Sequence, residues 1–506
     1  MNQVQNVETL DPAFAKNQYI MWHVNQTYNR LIEFDENMNP QPSLAKSWKI
    51  STDRLTYTFI LRDDVFFHDN EAFINGKGRK MVATDIVYSF ERIIDEKTAS
   101  SGAWIFNDRV DSVQPFVAIN DSTFELHLLR PFNPMLGILS MQYCSIVPKE
   151  VVEKWGKDFR SHPCGTGPFV FQDWEEAVAV TYRKNENYWE RDSDGNRLPY
   201  IDGIKFSQVD SKATEFLLFM QGDIDFMNSI DAVFKDQILS KKGELKEEFK
   251  SQFRLQKHAY LNVEYLGILQ DETKSTEKIL LNKKIRQAIN YGFDRKKMIT
   301  YIRNNIGIPA NAGMIPISLK GYDSSLVKGY SYQPEKAKQL IDEVKRELGS
   351  IPTITLLSND NYSDRCTFIA SQLKEIGLDI KIEIMQPSLL REQMSNSNAN
   401  FFWATWIADY PDAECYLTMF YGNNTAPPNY TRFKNAQYDQ LYEQCLVESD
   451  EKRKIELFQA MDKIIIEEAP CVPLFYDEVM HFVQNRVQNF NTNSSNLIDL
   501  KRVKLE

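Results

Sequence analysis

The chain has 506 residues, more than one hydrophobic core organises, and this predicts two or three lobes. Its 42% hydrophobic and 12% aromatic content is that of a packed globular protein and excludes general disorder. A net charge of −11, from 59 basic and 70 acidic residues, argues against nucleic acid as a general partner, because phosphate binding needs a basic face.

No apolar run approaches the roughly 18 residues of a membrane span. The first residues, MNQVQNVETLDP, lack a basic region and an apolar stretch, so either the chain is cytosolic or a leader has been removed. A turn at Leu10-Asp11-Pro12 precedes a helix carrying Tyr19, Trp22, His23, Gln26 and Leu31 at three- and four-residue spacing. Asn39-Pro40-Gln41-Pro42 breaks that pattern. Leu55, Tyr57, Phe59 and Leu61 alternate with Thr56, Thr58, Ile60 and Arg62, the period of a half-buried strand. Thr84 is expected to cap a helix over 85–94, and 123–129 reads as a further strand. Gly165-Thr166-Gly167 lies in a tight turn. The loop 192–199 places Asp192, Asp194 and Asn196 at alternate positions, as a calcium loop does. Its glycine comes too early and no glutamate closes the pattern, so a solvated turn is preferred.

Helices are expected over 212–221 and, exposed and charged, over 238–252. The run 258–269 reads as a strand, 282–301 as one long helix and 334–348 as a helix begun by proline. Strand, helix and strand over 351–357, 367–376 and 378–384, with Gly377 closing the helix, suit a βαβ unit. The run 401–408 is apolar apart from Thr405 and reads as a buried strand. Asp409 follows at once, and Tyr410-Pro411-Asp412 turns the chain. Helices over 438–448 and 451–468 and a buried strand over 471–476 close the sequence, which is therefore an α/β protein of several lobes.

Motifs for chemistry are missing. There is no dinucleotide or phosphate loop, no HExxH and no GxSxG. The six histidines share no metal spacing, and no cofactor is expected. The six cysteines form no CxxC; buried free thiols are the simplest reading, and the even count leaves disulfides open. Trp22, Trp104, Trp189, Trp403 and Trp406 are candidates for a ligand cleft, although core packing is the commoner use of any one tryptophan.

Several stretches, in this order, resemble the family 5 extracellular solute-binding proteins, the oligopeptide and dipeptide receptors of ABC importers. They are LDP at the start, LAKSWKISTDRLTYTFILRDDVFFHD and ATDIVYSFER, GTGPF, NENYW, GDIDF, KKIRQAINYGFDRKKMI, YQPEKAKQLI, QLKEIGLDIKI and WIADYPDAE. The resemblance implies a two-lobed, periplasmic-binding-protein-like clamp of type II with an extra domain and a hinge of two crossing strands. Domain I would take 1–33, 158–258 and 472–506, domain II 34–157 and domain III 259–471. The crossings would lie near Ala259-Tyr260 and Val472-Pro473.

The resemblance further implies a non-enzymatic, monomeric, extracytoplasmic receptor, lipid-anchored in many members, which holds a peptide between its lobes and delivers it to a membrane permease. Asp409 would take the α-amino group, while Thr405, Trp406 and Ile407 would pair with the peptide backbone as an added strand. Asn17, Gln18 and Tyr19 would pair from the other lobe. Trp403 stands where one oligopeptide-type pattern has an arginine, and Arg365, ahead of the 367–376 helix, is the candidate for the ligand carboxylate. Metal chelate, haem, opine or oligosaccharide are the alternative ligands of such a fold. A hydrolase or chaperone is the reading of another class, and the missing nucleophile–base motif counts against the hydrolase.

Overall fold

The computed structural model describes residues 1–506, apart from the side chain of Ala232. The chain divides into two compact units. Unit 1 gathers Met1–Ile238, Leu245–His258 and Val479–Glu506; unit 2 gathers Leu239–Glu244 and Ala259–Glu478. The stretch 34–157 lies wholly in unit 1.

In unit 1 the helix Gln18–Thr27 starts where Asn17 accepts the Ile20 N–H at 3.1 Å. It ends before Leu31, and the proline pair beyond does more than break it. Pro40–Pro42 forms a short strand against Ile32–Phe34. The Thr27 carbonyl receives the Gly167 N–H at 2.9 Å. A Cβ on Gly165 would sit 2.3 Å from the Thr27 oxygen, and one on Gly167 2.4 Å from the Thr27 carbonyl carbon. The Gly-Thr-Gly turn is thus pressed against the helix end, where only glycine fits. A four-stranded sheet runs in the order Ala45–Ile50, Thr56–Leu61, Thr123–His127, Phe116–Asn120. The helix Ala83–Ile94 covers it through Phe90, whose ring meets Phe106, Phe116 and Phe124. Phe226–Asn228 pairs with 481–483, far along the chain.

The calcium-like loop is a turn held by its own aspartate. Asp192 Oδ1 accepts the Asp194 and Asn196 N–H groups at 2.9 and 2.7 Å, and Oδ2 accepts Asn196 Nδ2 and the Tyr200 hydroxyl. Among the described residues no group of three or more His, Cys, Asp or Glu is arranged to hold a metal.

Unit 2 holds a core of Ile285, Ile289, Phe293, Ile341, Leu356, Ile369, Leu373, Phe401 and Trp403, all nearly free of solvent. Strand Phe401–Ile407 pairs antiparallel with 262–268 of strand Phe253–Ile268, and parallel, at Phe402, with Leu357 of Ile354–Ser358. Ile354–Ser358 pairs parallel with Ile380–Ile384 across the helix Ser363–Glu375, the expected βαβ unit, with Gly377 at φ +93°. That helix begins earlier than expected, so Arg365 lies in its first turn and not ahead of it.

Two further expectations differ. The 282–301 stretch is two helices, Lys283–Tyr291 and Arg295–Ile302, because Asp294 caps a new helix by accepting the Lys297 N–H at 2.9 Å. The charged stretch 238–252 is turns, with only a short 3-10 piece at Glu247–Phe249, while a helix precedes it at Ala232–Ile238. Gly243, at φ +72°, and Ser240 close a turn there.

Strands Phe253–Ile268 and Cys471–Gln484 each belong to both units, the passages falling at His258–Ala259 and Glu478–Val479. The second passage lies later than Val472-Pro473 because the final strand runs on to Gln484. All six cysteines are buried free thiols. Among the described residues no helix is long and apolar enough to cross a membrane.

Candidate ligand-binding site

The site residues of unit 2 sit on one sheet face. Trp403, Thr405 and Ile407 alternate along their strand and so project to the same side. Glu264 lies opposite Thr405, and Asn262 opposite Ile407, on that same face. The face changes character along its length. Trp403 is 1% exposed, whereas Thr405 is exposed and Ile407 is 49% exposed.

Trp403 therefore belongs to the core. Its indole N–H donates to Glu264 Oε2 at 2.6 Å, and its ring stacks on Tyr362 at 4.7 Å and 14°. Thr405 donates its hydroxyl to Asn262 Oδ1 at 2.6 Å. Asn262 Nδ2 donates in turn to Asp477 Oδ2 at 3.1 Å, and Arg303 pairs with Asp477 Oδ1 at 2.5 Å. Glu264 is 4% exposed, and burial, then the nearby Asp477 charge, pushes its carboxyl up to about 7 against the pull of Trp403, Arg303 and Arg365.

Asp409 stands just past the strand. Ala408 N–H is fixed to the Leu261 carbonyl at 2.9 Å, and the half-buried Trp406 donates its indole N–H to the Cys415 carbonyl at 2.7 Å. Beyond it, Glu414 is buried and accepts the hydroxyls of Tyr410, at 2.5 Å, and Tyr442. The loop on both sides of Asp409 is thus clamped, yet its own carboxylate makes no hydrogen bond or ion pair among the described residues. The side chain reaches solvent, and protein crowded around it, with no cation beside it, pushes the carboxyl up to about 6. A fixed, partly desolvated acid with no counter-charge is suited to an incoming cation.

Arg365 is half-buried. Its guanidinium donates to the Asn361 carbonyl at 3.0 Å, lies 5.3 Å from the Tyr362 ring centre and forms no ion pair among the described residues. In unit 1, Asn17 is extended but spends its side chain on capping, and Gln18 and Tyr19 are helical, so they offer first-turn N–H groups and not a strand edge. Gln18 Nε2 donates to the Asn496 carbonyl at 3.3 Å, and the Tyr19 carbonyl accepts from Gln3.

Sequence reasoning missed Asn262, Glu264, Tyr362 and Glu414. The first two carried a signal: polar residues two apart inside the apolar run HAYLNVEYLGIL share one face of a strand.

Comparison with known proteins places this geometry in a group. Residues 39–428 match the family described as bacterial extracellular solute-binding proteins, family 5 Middle. Heme-binding protein A of Haemophilus influenzae is 29% identical over 491 residues, covering 92% of this chain and 84% of that protein. Dipeptide-binding protein DppE of Bacillus subtilis is 25% identical over 525 residues, covering 99% and 90%. The structure of HbpA2 from Haemophilus parasuis superposes with a TM-score of 0.85 at 24% identity, over 99% of this chain and 98% of that one.

Proposed function

Because the chain belongs to the family 5 bacterial extracellular solute-binding proteins, whose fold is the two-lobed type II clamp, we propose that it captures peptides by their amino end and delivers them to the membrane permease of an ABC importer. The observation that carries this reading is Asp409, a clamped carboxylate without a counter-charge at the end of a strand. A peptide ammonium supplies the missing charge, and charge-assisted hydrogen bonds of that kind are among the stronger polar contacts. Thr405, Trp406 and Ile407 serve as the strand to which the peptide backbone adds, and Arg365 receives the carboxyl end. Asn17, Gln18 and Tyr19 contribute through helix-start N–H groups.

The protein acts as a binder, not an enzyme, and works outside the cytoplasm. The 34–157 segment, with its own four-stranded sheet, is read as a separate domain inside unit 1. Haem is the second reading, favoured by the name of the relative that is 29% identical. Against it stands Asp409, since an uncompensated acid disfavours anionic propionates.

Mass spectrometry on ligand released by denaturing natively purified protein separates the two. Short peptides with free amino ends are expected. A porphyrin, metal chelate or sugar in their place overturns the proposal.

A further inference from the structure

The strand Phe401–Ile407 has two edges, and only part of one is free. Ala408 N–H bonds the Leu261 carbonyl, and Leu269 N–H bonds the Asn400 carbonyl, each at 2.9 Å. In an antiparallel ladder alternate residues point their N–H and C=O toward the partner. Here the even-numbered residues face the 253–268 strand, and Trp403, Thr405 and Ile407 aim theirs the other way. On that other side, Ile354–Ser358 meets the strand at the Leu357–Phe402 bridge alone. Its chain then turns through Asp360–Tyr362, and the Tyr362 ring stacks on Trp403 at 4.7 Å. The edge is therefore closed at Trp403. The outward N–H and C=O groups of Thr405 and Ile407 have no hydrogen-bond partner among the described residues, and the Thr405 and Ile407 side chains are exposed.

We propose that this free edge is a slot of fixed length, which takes peptides of three residues, at most four, and rejects longer ones. The inference rests on the peptide reading and gives it a substrate class. With its ammonium at Asp409, the ligand runs antiparallel to Phe401–Ile407. Its first residue exchanges backbone hydrogen bonds with Ile407 and its third with Thr405. In that register the edge from Ile407 to Thr405 faces three ligand residues, and a fourth lies beside Ala404 before the edge closes at Trp403. Beyond that length the carboxyl end meets the Asp360–Tyr362 turn and the start of the Ser363–Glu375 helix, so a fifth residue has no edge to pair with. This wall is backbone and a stacked ring pair, which yields less readily than a flexible side chain.

Calorimetric titration of the intact protein with free-ended alanine peptides of two to six residues tests the limit. Trialanine or tetraalanine should bind best, with hexaalanine at least tenfold weaker. Hexaalanine binding as tightly as trialanine overturns the slot and leaves the peptide reading standing. Failure of every length to bind overturns both. Amide hydrogen exchange gives a second measure. Saturating trialanine should slow exchange at Thr405 and Ile407 and leave Trp403, inside the Leu357 bridge, unchanged. Protection at neither Thr405 nor Ile407 overturns the slot.

Discussion

Replacing Asp409 by Asn separates the charge of this residue from its shape. The amide keeps the size and one acceptor oxygen but cannot pair with an ammonium. A hydrogen bond to a charged group is worth about 1.5–3 kcal/mol. The Asp409 side chain reaches solvent, so the lower part of that range applies: about 2 kcal/mol, or roughly 30-fold in Kd. Titration calorimetry at pH 7 should show that loss for a free-amine tripeptide and no change for its N-acetylated form. The wild-type affinity should also fall as pH drops below about 6, where the carboxyl takes up a proton, and the variant should lack that acid limb. Stability should move the other way. Folding raises this carboxyl from its ordinary 3.8 to about 6. Between those values the folded protein binds more protons than the unfolded chain, so stability is lost as pH rises through the window. Asp409→Asn removes that loss, and the ligand-free variant should melt at or above the wild type at pH 7 and together with it near pH 4. Equal weakening of free-amine and acetylated peptides, or none, would refute the role of Asp409 as an ammonium partner.

Glu264→Gln keeps an acceptor for the Trp403 N–H and removes a carboxyl that folding raises from 4.5 to about 7. By the same sign, differential scanning calorimetry should find the variant more stable than the wild type at pH 8 and equal to it at pH 4; a lower melting temperature at pH 8 would sink this account of Glu264. Arg365→Ala should weaken free-acid peptides by about tenfold, the loss of one charged hydrogen bond, and leave C-amidated ones unchanged. Parallel loss for both would remove Arg365 from the carboxylate end. Gly167→Ala places a Cβ 2.4 Å from the Thr27 carbonyl carbon and 2.6 Å from the Gln26 oxygen. Backbone cannot swing aside as a side chain does, so urea unfolding should show a loss of about 1–3 kcal/mol. An unchanged midpoint would show that the turn relaxes freely.

What could be read from the sequence was whatever depends on near neighbours. The run 401–408 is a strand because its apolar residues are contiguous and a Tyr-Pro-Asp turn ends it, and Asp409 stood out by position alone. The βαβ unit was equally plain, since Gly377 marks its helix end. Periodicity misled where it ran through a break. Ile285, Ala288, Ile289 and Phe293 keep helical spacing across Gly292, so their pattern does not announce that Asp294 starts a second helix. Charge misled at 238–252, where acids and lysines sit in turns. The roles of Trp403 and Arg365 depend on Tyr362, which reaches Trp403 only after the sheet has assembled. No local rule links residues 362 and 403, and none told a ligand-facing tryptophan from a core one.

The make-up of unit 1 has a consequence for how the chain is made. Trp22 and Gln26 donate to the carbonyls of Asn496 and Ile498, and Lys501 pairs with Glu33 and Glu190. The first helix thus waits for partners that leave the ribosome last. Unit 2 is almost one continuous stretch and has its strands in hand before that. During synthesis the middle of the chain can settle first, while the beginning stays incomplete until its final turns arrive. A nascent chain stalled short of residue 479 would lack the partners of its first helix and the 481–483 partner of Phe226–Asn228.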